Sequence, residues 1–133
     1  MGAAQAPWRN IYASSTSIHS SDKNLKNSIQ PLSSIHEKIF DALEPVSYKF
    51  NINDSNRTHI GLIAQDVKKA IEDAGLTTQE FAGYCEWENE NGSTGCGLRY
   101  GEFIALNIYE IQKLKARAQK AEETIQTQKE KIQ

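Results

Sequence analysis

The chain has 133 residues, a formal net charge of -2 and an apolar fraction of 38%, which suffices for one modest core and is too short for two. Acidic and basic residues are interspersed, so no basic field exists to displace counterions from a nucleic-acid backbone, and no apolar run reaches the ~20 residues that span a bilayer. The start "MGAAQAPWRN" lacks the cationic and apolar segments of a secretory leader, giving the expectation of a soluble, unsecreted protein with no nucleic-acid and no membrane partner.

The first stretch, "PWRNIYASSTSIHSSD", is rich in Ser and Thr and carries Trp8, Ile11, Tyr12 and Ile18 without a helical period. It reads as extended chain that needs a neighbour to pair with. In "SDKNLK", Ser20 or Ser21 suits a helix N-cap, with Asp22 in the following turn. "PLSSIHEKIFDALEP" predicts a helix: Ser34 and Glu37 form a capping-box pattern, Ile35, Ile39 and Leu43 recur every four residues, and Pro45 stops the run. Val46, Tyr48 and Phe50 alternate as in a strand, "NDSN" marks a turn, and "HIGLIA" gives a second strand.

"QDVKKAIEDAG" places Val67, Ala70, Ile71 and Ala74 at helical spacing and closes on Gly75, which suits the left-handed turn after a helix. Cys85 and Trp87 then alternate with Glu86 and Glu88, Asn91 and Gly92 supply a tight-turn dipeptide, and Cys96, Leu98 and Tyr100 alternate again, as in a hairpin. The two cysteines are too few for a disulfide scaffold and, without clustered histidines, for a closed zinc site. They flank the hairpin turn, so a bridge stays open, while free thiols suit a cytosolic protein.

From Tyr100 the tail has no proline, and no glycine after Gly101, and reads as one long helix. Ile104, Ile111, Leu114, Ala118, Ala121, Ile125 and Ile132 recur in steps of seven, three and four, as a heptad seam requires. Asn107 and Gln128 fall on the same seam and the two alanines are small, so the interface is weak alone and suited to setting register. Such a seam has to face another helix, and self-association is the expectation.

Acidic groups offer little chemistry. Glu37, Asp41 and Glu44 line one side of a helix and Glu86, Glu88 and Glu90 one hairpin edge. Both read as solvated faces or edge protection rather than metal or general-acid sites. With no phosphate-cradling glycine loop and no Ser/His/Asp grouping, no metal and no cofactor is expected.

Ser21 and Lys26 are different. A serine becomes a nucleophile when a base takes its proton, and a lysine amine can do so once burial or a neighbouring cation lowers its pKa. Five residues apart, the two sit about 140° around a regular helix and on opposite faces of a strand. They meet only if Ser21 lies in extended chain with a helix or turn beginning after it, or if the lysine comes from another subunit.

"WRNIYASSTSIHSSDKNLKNSI", "LEPVSYKF", "HIGLIAQDV", "LRYGEFIAL" and the helical "IQKLKAR" together resemble the C-terminal intramolecular chaperone domain of phage tailspike, tail-fibre, neck-appendage and endosialidase proteins. Animal myelin regulatory factors carry a similar domain. The resemblance runs from about Trp8 to about Arg117 and is most specific in "SDKNLK" and "HIGLIAQDV". It implies a homotrimer that guides the upstream fibre or stalk segment of the same polypeptide and then cuts itself off as a self-cleaving serine endopeptidase. The family's dyad maps to Ser21 and Lys26, and Asp22 matches the motif.

The cut implied lies beside Ser21, most often drawn between Ser21 and Asp22. A hydroxyl attacking its own residue's carbonyl closes a strained four-membered ring, whereas attack on the preceding carbonyl, or on another subunit's chain, does not. His59 and Gln65, in the second matching block, are candidate site-lining residues; a histidine opening a strand and a residue beginning a helix are the plain readings. Gly101 stands where many relatives have an acidic residue, and Asn107 replaces an apolar one, which bears on the seam and leaves the dyad alone.

The expected architecture is α+β: short helices packed on small antiparallel hairpins, then a long C-terminal helix in a trimeric coiled-coil-like bundle. Residues 1–21 read as the released end of the upstream segment, 22–100 as the chaperone and autoprotease core, and 101–133 as the oligomerisation helix. The resemblance puts the domain in the host cytoplasm during virion assembly and its parent in the phage tail, fibre or appendage. The alternatives are a purely structural homotrimerisation module without cleavage, and a release domain of a membrane-tethered regulator.

Overall fold

The computed structural model describes residues 11–15, 17–52 and 55–132. In chain order these form a 3-10 turn at Lys23–Leu25, α1 at Ser34–Ala42, β1 at Val46–Tyr48, β2 at His59–Gly61 and α2 at Ala64–Asp73. A second 3-10 turn at Thr78–Glu80, β3 at Tyr84–Glu88, β4 at Thr94–Leu98 and α3 at Glu102–Ile132 follow. The expected α+β class is what is found: three helices with two small two-stranded sheets, β1 with β2 and β3 with β4. The chain divides into two compact units, one holding the described residues up to Pro31 with Glu86–Gly95, the other Leu32–Cys85 with Cys96 onward.

In the first unit, residues 11–15 and 17–20 form no regular element, and Ile11, Tyr12 and Ile18 are exposed. Trp8 and the rest of residues 1–10 lie outside the described residues. The tip of the second hairpin is closed as "NG" predicts. Gly92 takes a φ of 82°, and the Asn89 and Ser93 backbones bond at 2.8 Å.

The second unit contains the hydrophobic core. Its centre is Ile39 of α1, Val67 and Ile71 of α2, Phe81, Tyr84, and Phe103 and Leu106 of α3. Three elements distant in sequence thus close one cluster, each fully buried Ile or Val contributing roughly 1.5–3 kcal/mol. The period-four pattern of α1 works as expected at Ile39, which is fully buried, with Leu43 half-buried at its end.

The cap of α1 is one residue earlier than the sequence pattern suggests. Ser33 is the N-cap, its hydroxyl accepting from the Ile35 N–H, and His36 Nδ1 accepts from the Ser33 N–H at 3.0 Å. An imidazole nitrogen does here what Glu37 would do in the usual box. Glu37 is thereby released for a distant partner. Its carboxylate takes Lys113 Nζ on one oxygen and Arg117 Nη2, at 3.2 Å, on the other. The expectation of a solvated acidic face therefore fails at Glu37, which ties α1 to α3, and holds at the exposed Asp41 and Glu44.

Helix α2 has no side-chain cap at its start and ends on a backbone lock. Gly75 N–H bonds Glu72 O at 3.0 Å and Leu76 N–H bonds Ile71 O at 3.2 Å, with Gly75 at φ 90°. That left-handed conformation is what the sequence expected of Gly75, and it favours a residue without Cβ. In the β1–β2 pair, Val46, Ser47 and Tyr48 stand opposite Gly61, Ile60 and His59. A Cβ on Gly61 would lie 2.6 Å from the Tyr100 hydroxyl, which receives the Leu62 N–H at 3.1 Å and donates to Leu62 O at 3.4 Å. The first β-pair is thus tied to the entry of α3 through one phenol.

Helix α3 runs 31 residues, about 46 Å at 1.5 Å per residue. Phe103, Leu106 and Glu110 are buried on one face, while every residue from Leu114 to Ile132 is exposed. The expected seam is open: Ile104, Ile111 and Leu114 are 62, 63 and 59% exposed, and Ile125 and Ile132 are exposed as well.

Two outcomes follow. Gly75→Ala should cost about 1 kcal/mol in urea unfolding, because a Cβ is forced into the left-handed region; an unchanged midpoint would contradict the lock. The Glu37 carboxyl is held below its ordinary range, first by the hydrogen bond from Lys113 and against a desolvation cost, while the same bond raises Lys113. The carboxylate's contribution is complete above its ordinary pKa of about 4.3 and lost as pH falls through the lowered value; the ammonium's is complete below about 10.4 and lost on rising through the raised one. Glu37→Gln should therefore reduce amide-exchange protection at residues 104–117 at pH 6, and the difference from wild type should fade as the pH falls through the lowered value. Equal protection at pH 6 would show that the clamp holds nothing.

Candidate functional site

The Ser21–Lys26 pair is assembled by a turn of three residues. Asp22, in extended conformation with φ -65° and ψ 128°, caps the 3-10 turn Lys23–Leu25 by accepting the Asn24 N–H at 2.9 Å. The Lys26 N–H then bonds Lys23 O at 3.1 Å, so Lys26 is the residue on which the turn closes. Reversal within one 3-10 turn brings back the two side chains that a regular helix would hold apart. Lys26 Nζ lies 2.6 Å from Ser21 Oγ.

The sequence offered two ways for these groups to meet. The geometry takes the first, extended chain and then a turn, within one copy. It also corrects the cap: Asp22 fills the role read for Ser20 or Ser21. This has a chemical consequence, since a serine used as an N-cap spends its hydroxyl on a backbone N–H. With the aspartate capping, the Ser21 hydroxyl meets the lysine instead.

Both partners are exposed. An ammonium in water donates to a hydroxyl and takes no proton from it; an amine acts as base only once desolvation or a nearby cation removes its proton. The hydroxyl and the ammonium group are thus in contact, in surroundings that leave both exposed.

His59 and Gln65 belong to the other compact unit. His59 stacks on Tyr48 with ring centroids 5.7 Å apart and meets the edge of Phe50 at 5.1 Å, forming an aromatic cluster over the β1–β2 pair. Gln65 is exposed in the first turn of α2. Each thus has a plain structural place, and a part in lining a site stays an expectation.

Cys85 and Cys96 are free thiols, both half-buried. Among the described residues no three His, Cys, Asp or Glu side chains cluster so as to hold a metal ion, and no helix is long and apolar enough to cross a membrane. A groove of about 740 Å³ opens in the second unit, lined by Phe40, Leu43, Pro45, Ile60, Tyr100 and Ile104 among others. Sequence reasoning missed this groove, the Tyr100 tie and the Glu37 clamp. The tie and the clamp join residues 38 and 76 positions apart, the groove draws on separate stretches of chain, and no local pattern signals such partners.

Comparison with known proteins agrees with the resemblance seen in the sequence. Residues 21–76 match the model of a peptidase family described as the chaperone of endosialidase. The matched segment opens on "SDKNLK" and contains "HIGLIAQDV". Among solved structures, the carboxy-terminal domain of the bacteriophage T5 L-shaped tail fibre with its intramolecular chaperone domain superposes at a TM-score of 0.64 with 20% identity. That match covers 94% of this chain and 36% of the fibre chain, so this chain spans about a third of its relative. A structure described as a novel intramolecular chaperon matches at a TM-score of 0.57 and 25% identity, over 73% of this chain and 99% of that one. The fold is thus that of phage tail-fibre intramolecular chaperone domains, and residues 21–76 carry the pattern of the endosialidase chaperone family.

The cap makes a prediction independent of any cleavage. Asp22→Asn should keep the turn and Asp22→Ala should lose it, at roughly 0.5–2 kcal/mol. The readout is the nuclear Overhauser contact between the Ser21 and Lys26 side chains, retained in the first variant and weakened in the second. A contact indifferent to Ala at residue 22 would mean that the cap does not hold the pair.

Proposed function

We propose that this chain is an intramolecular chaperone that self-associates as a homotrimer, guides an upstream phage fibre or tailspike segment of the same polypeptide, and then releases itself by cleavage beside Ser21. The observation that carries the reading is the 2.6 Å contact between Ser21 Oγ and Lys26 Nζ, located in the segment that matches a peptidase family. On this reading residues 1–21 end the released upstream part, 22–100 make the chaperone and autoprotease core, and 101–133 the oligomerisation helix. On the same reading His59 and Gln65 are candidate site-lining residues.

The exposed seam supports self-association. A single copy leaves Ile104, Ile111, Leu114, Ile125 and Ile132 in water, and Ile104 also borders the apolar groove. A second and third helix would bury this stripe. Three chains held together raise one another's effective concentration and fix the register of the fibre segments they precede. Fibre strands with unpaired edges are prone to mispair before they intertwine, and that is the step a removable clamp protects.

Assembly also supplies what the exposed pair lacks. Once neighbouring copies and the folded upstream segment exclude water, the lysine amine loses its proton and can accept that of the serine. Ser21 Oγ bonds to the carbonyl carbon as its proton passes to Lys26. The adduct then collapses with the amide nitrogen leaving as an amine, protonated from Lys26, and water hydrolyses the resulting ester to free the carboxylate. Attack on the preceding carbonyl or on a neighbouring copy avoids the four-membered ring. Cleavage after folding removes the reverse path and traps the mature fibre kinetically.

A purely structural trimer module is the competing reading, and the exposure of the dyad in a lone chain is the observation that favours it. Expression of the domain behind its natural upstream segment separates the two. Wild type should yield a shortened trimer, while Ser21→Ala, Lys26→Ala and Lys26→Arg should give trimers of full length, arginine keeping a donor but unable to act as base. Self-processing in any of the three variants would overturn the dyad, and an uncut wild-type trimer would leave the structural module standing.

A further inference from the structure

Resting on the self-association and cleavage proposed above, we infer that the apolar groove of the second unit receives the dyad turn of a neighbouring copy, with Leu25 and Ile29 entering it and Lys23 meeting Asp41. Leu25 ends the 3-10 turn, and Ile29 follows Ser28, whose φ of 53° bends the chain. The two flank Lys26 in sequence and are 74 and 60% exposed. A single apolar side chain in water needs no explanation. A pair on either side of a functional lysine is different, because whatever covers them covers the lysine as well.

The groove has the complementary character. Phe40, Leu43, Pro45, Ile60 and Tyr100 contribute to its apolar lining, and Asp41, itself exposed, is the one charged residue there. Such a lining suits an apolar segment that carries one available cation. The dyad turn is that segment: Lys26 is engaged with Ser21, and the exposed Lys23 is left for a carboxylate. Ile11, Tyr12 and Ile18, the other exposed apolar residues at this end of the chain, fit less well. Residues 11–20 contain no Lys or Arg, and on the proposed function they leave with the upstream part. Leu25, Ile29 and Ile60, the last 85% exposed, are all in water in the lone chain, so both surfaces are open to another copy.

Docking of this kind makes the site composite. With Leu25 and Ile29 covered, Lys26 between them loses its water, which favours the uncharged amine that can accept the Ser21 proton. The Asp41 carboxylate would oppose this if it faced Lys26, and pairing with Lys23 occupies it instead. Ile60 would also bring its chain neighbour His59 beside the dyad. Cleavage then waits for assembly, because the surface that completes the pair lies on another copy.

The test mixes two impaired copies, each behind its natural upstream segment. One carries Ile60→Asp, a charge placed in the groove at an exposed position, with its dyad intact; the other carries Ser21→Ala with its groove intact. Ile60→Asp alone should slow self-cleavage about tenfold or more while sedimentation equilibrium shows the wild-type oligomer. In mixed oligomers the Ile60→Asp copies should be cut, their dyads seated in the grooves of the Ser21→Ala copies. Wild-type cleavage by Ile60→Asp alone, or no recovery in the mixture, would overturn docking between copies. A second measurement needs no cleavage: in a Cys85→Ser, Cys96→Ser background, oxidation of Ile29→Cys chains mixed with Ile60→Cys chains should give a covalent dimer joined from 29 to 60. Its absence would overturn the docking even where the wild type cuts itself. Its formation in a chain that is never cut would overturn the cleavage reading and leave the docking in place.

Discussion

The structure depends on α3 being used on two sides. Phe103 and Leu106 close the core formed by Ile39, Val67, Ile71, Phe81 and Tyr84, and without them α1 and α2 would share too little apolar surface to hold together. The helix then continues to Ile132, carrying Ile111, Leu114 and Ile125 in water. On the proposed function, a chain that spends half of one long helix on its own core and leaves the rest uncovered would be completed by other copies. Glu37 with Lys113 and Arg117 fixes where the first use ends, clamping the helix to α1 at the last point where it touches its own unit.

The serine–lysine pair follows a related logic at a smaller scale. Geometry is provided locally and electrostatic environment is withheld. Asp22 takes the capping role, the turn closes at Lys26, and the hydroxyl and amine come together without help from any distant element. Both side chains are exposed. This separation suits a domain proposed to cut once, after assembly, because a pair active on emergence would sever the chaperone before it had acted. On the proposed function, low-dielectric surroundings would come from elements far away in sequence or from other copies, and burial would then act as the timing signal.

What could be read in the sequence was whatever depends on near neighbours. The recurrence of Ile35, Ile39 and Leu43, the alternation around Trp87, the "NG" turn, the left-handed Gly75 and the unbroken tail after Gly101 each state a periodicity or a backbone requirement within a few residues. Those elements are present. The two readings that slipped, Ser34 for Ser33 as the cap of α1 and Ser20 or Ser21 for Asp22 in the dyad turn, slipped by one or two positions, because several adjacent Ser and Asp residues can each cap and only the final backbone path selects one. The candidate pair itself was legible as two functional groups whose meeting required a turn between them.

Tertiary structure alone decided the rest. Glu37 looked like one of three solvated acids, and it became the clamp because α3 passes within reach of its carboxylate 76 residues later. Gly61 looked like any strand glycine, and it proved to be where the Tyr100 phenol comes to rest. Glu110 could be read as a surface charge on a polar tail, and it lies buried with an unanswered oxygen. The sequence by itself determined which segments would be helix, strand or turn, since propensity, capping and period act over less than two turns of chain. Which groups would be buried, paired or left exposed was decided by how those segments pack, because burial and long-range pairing are properties of the fold and not of any window of residues.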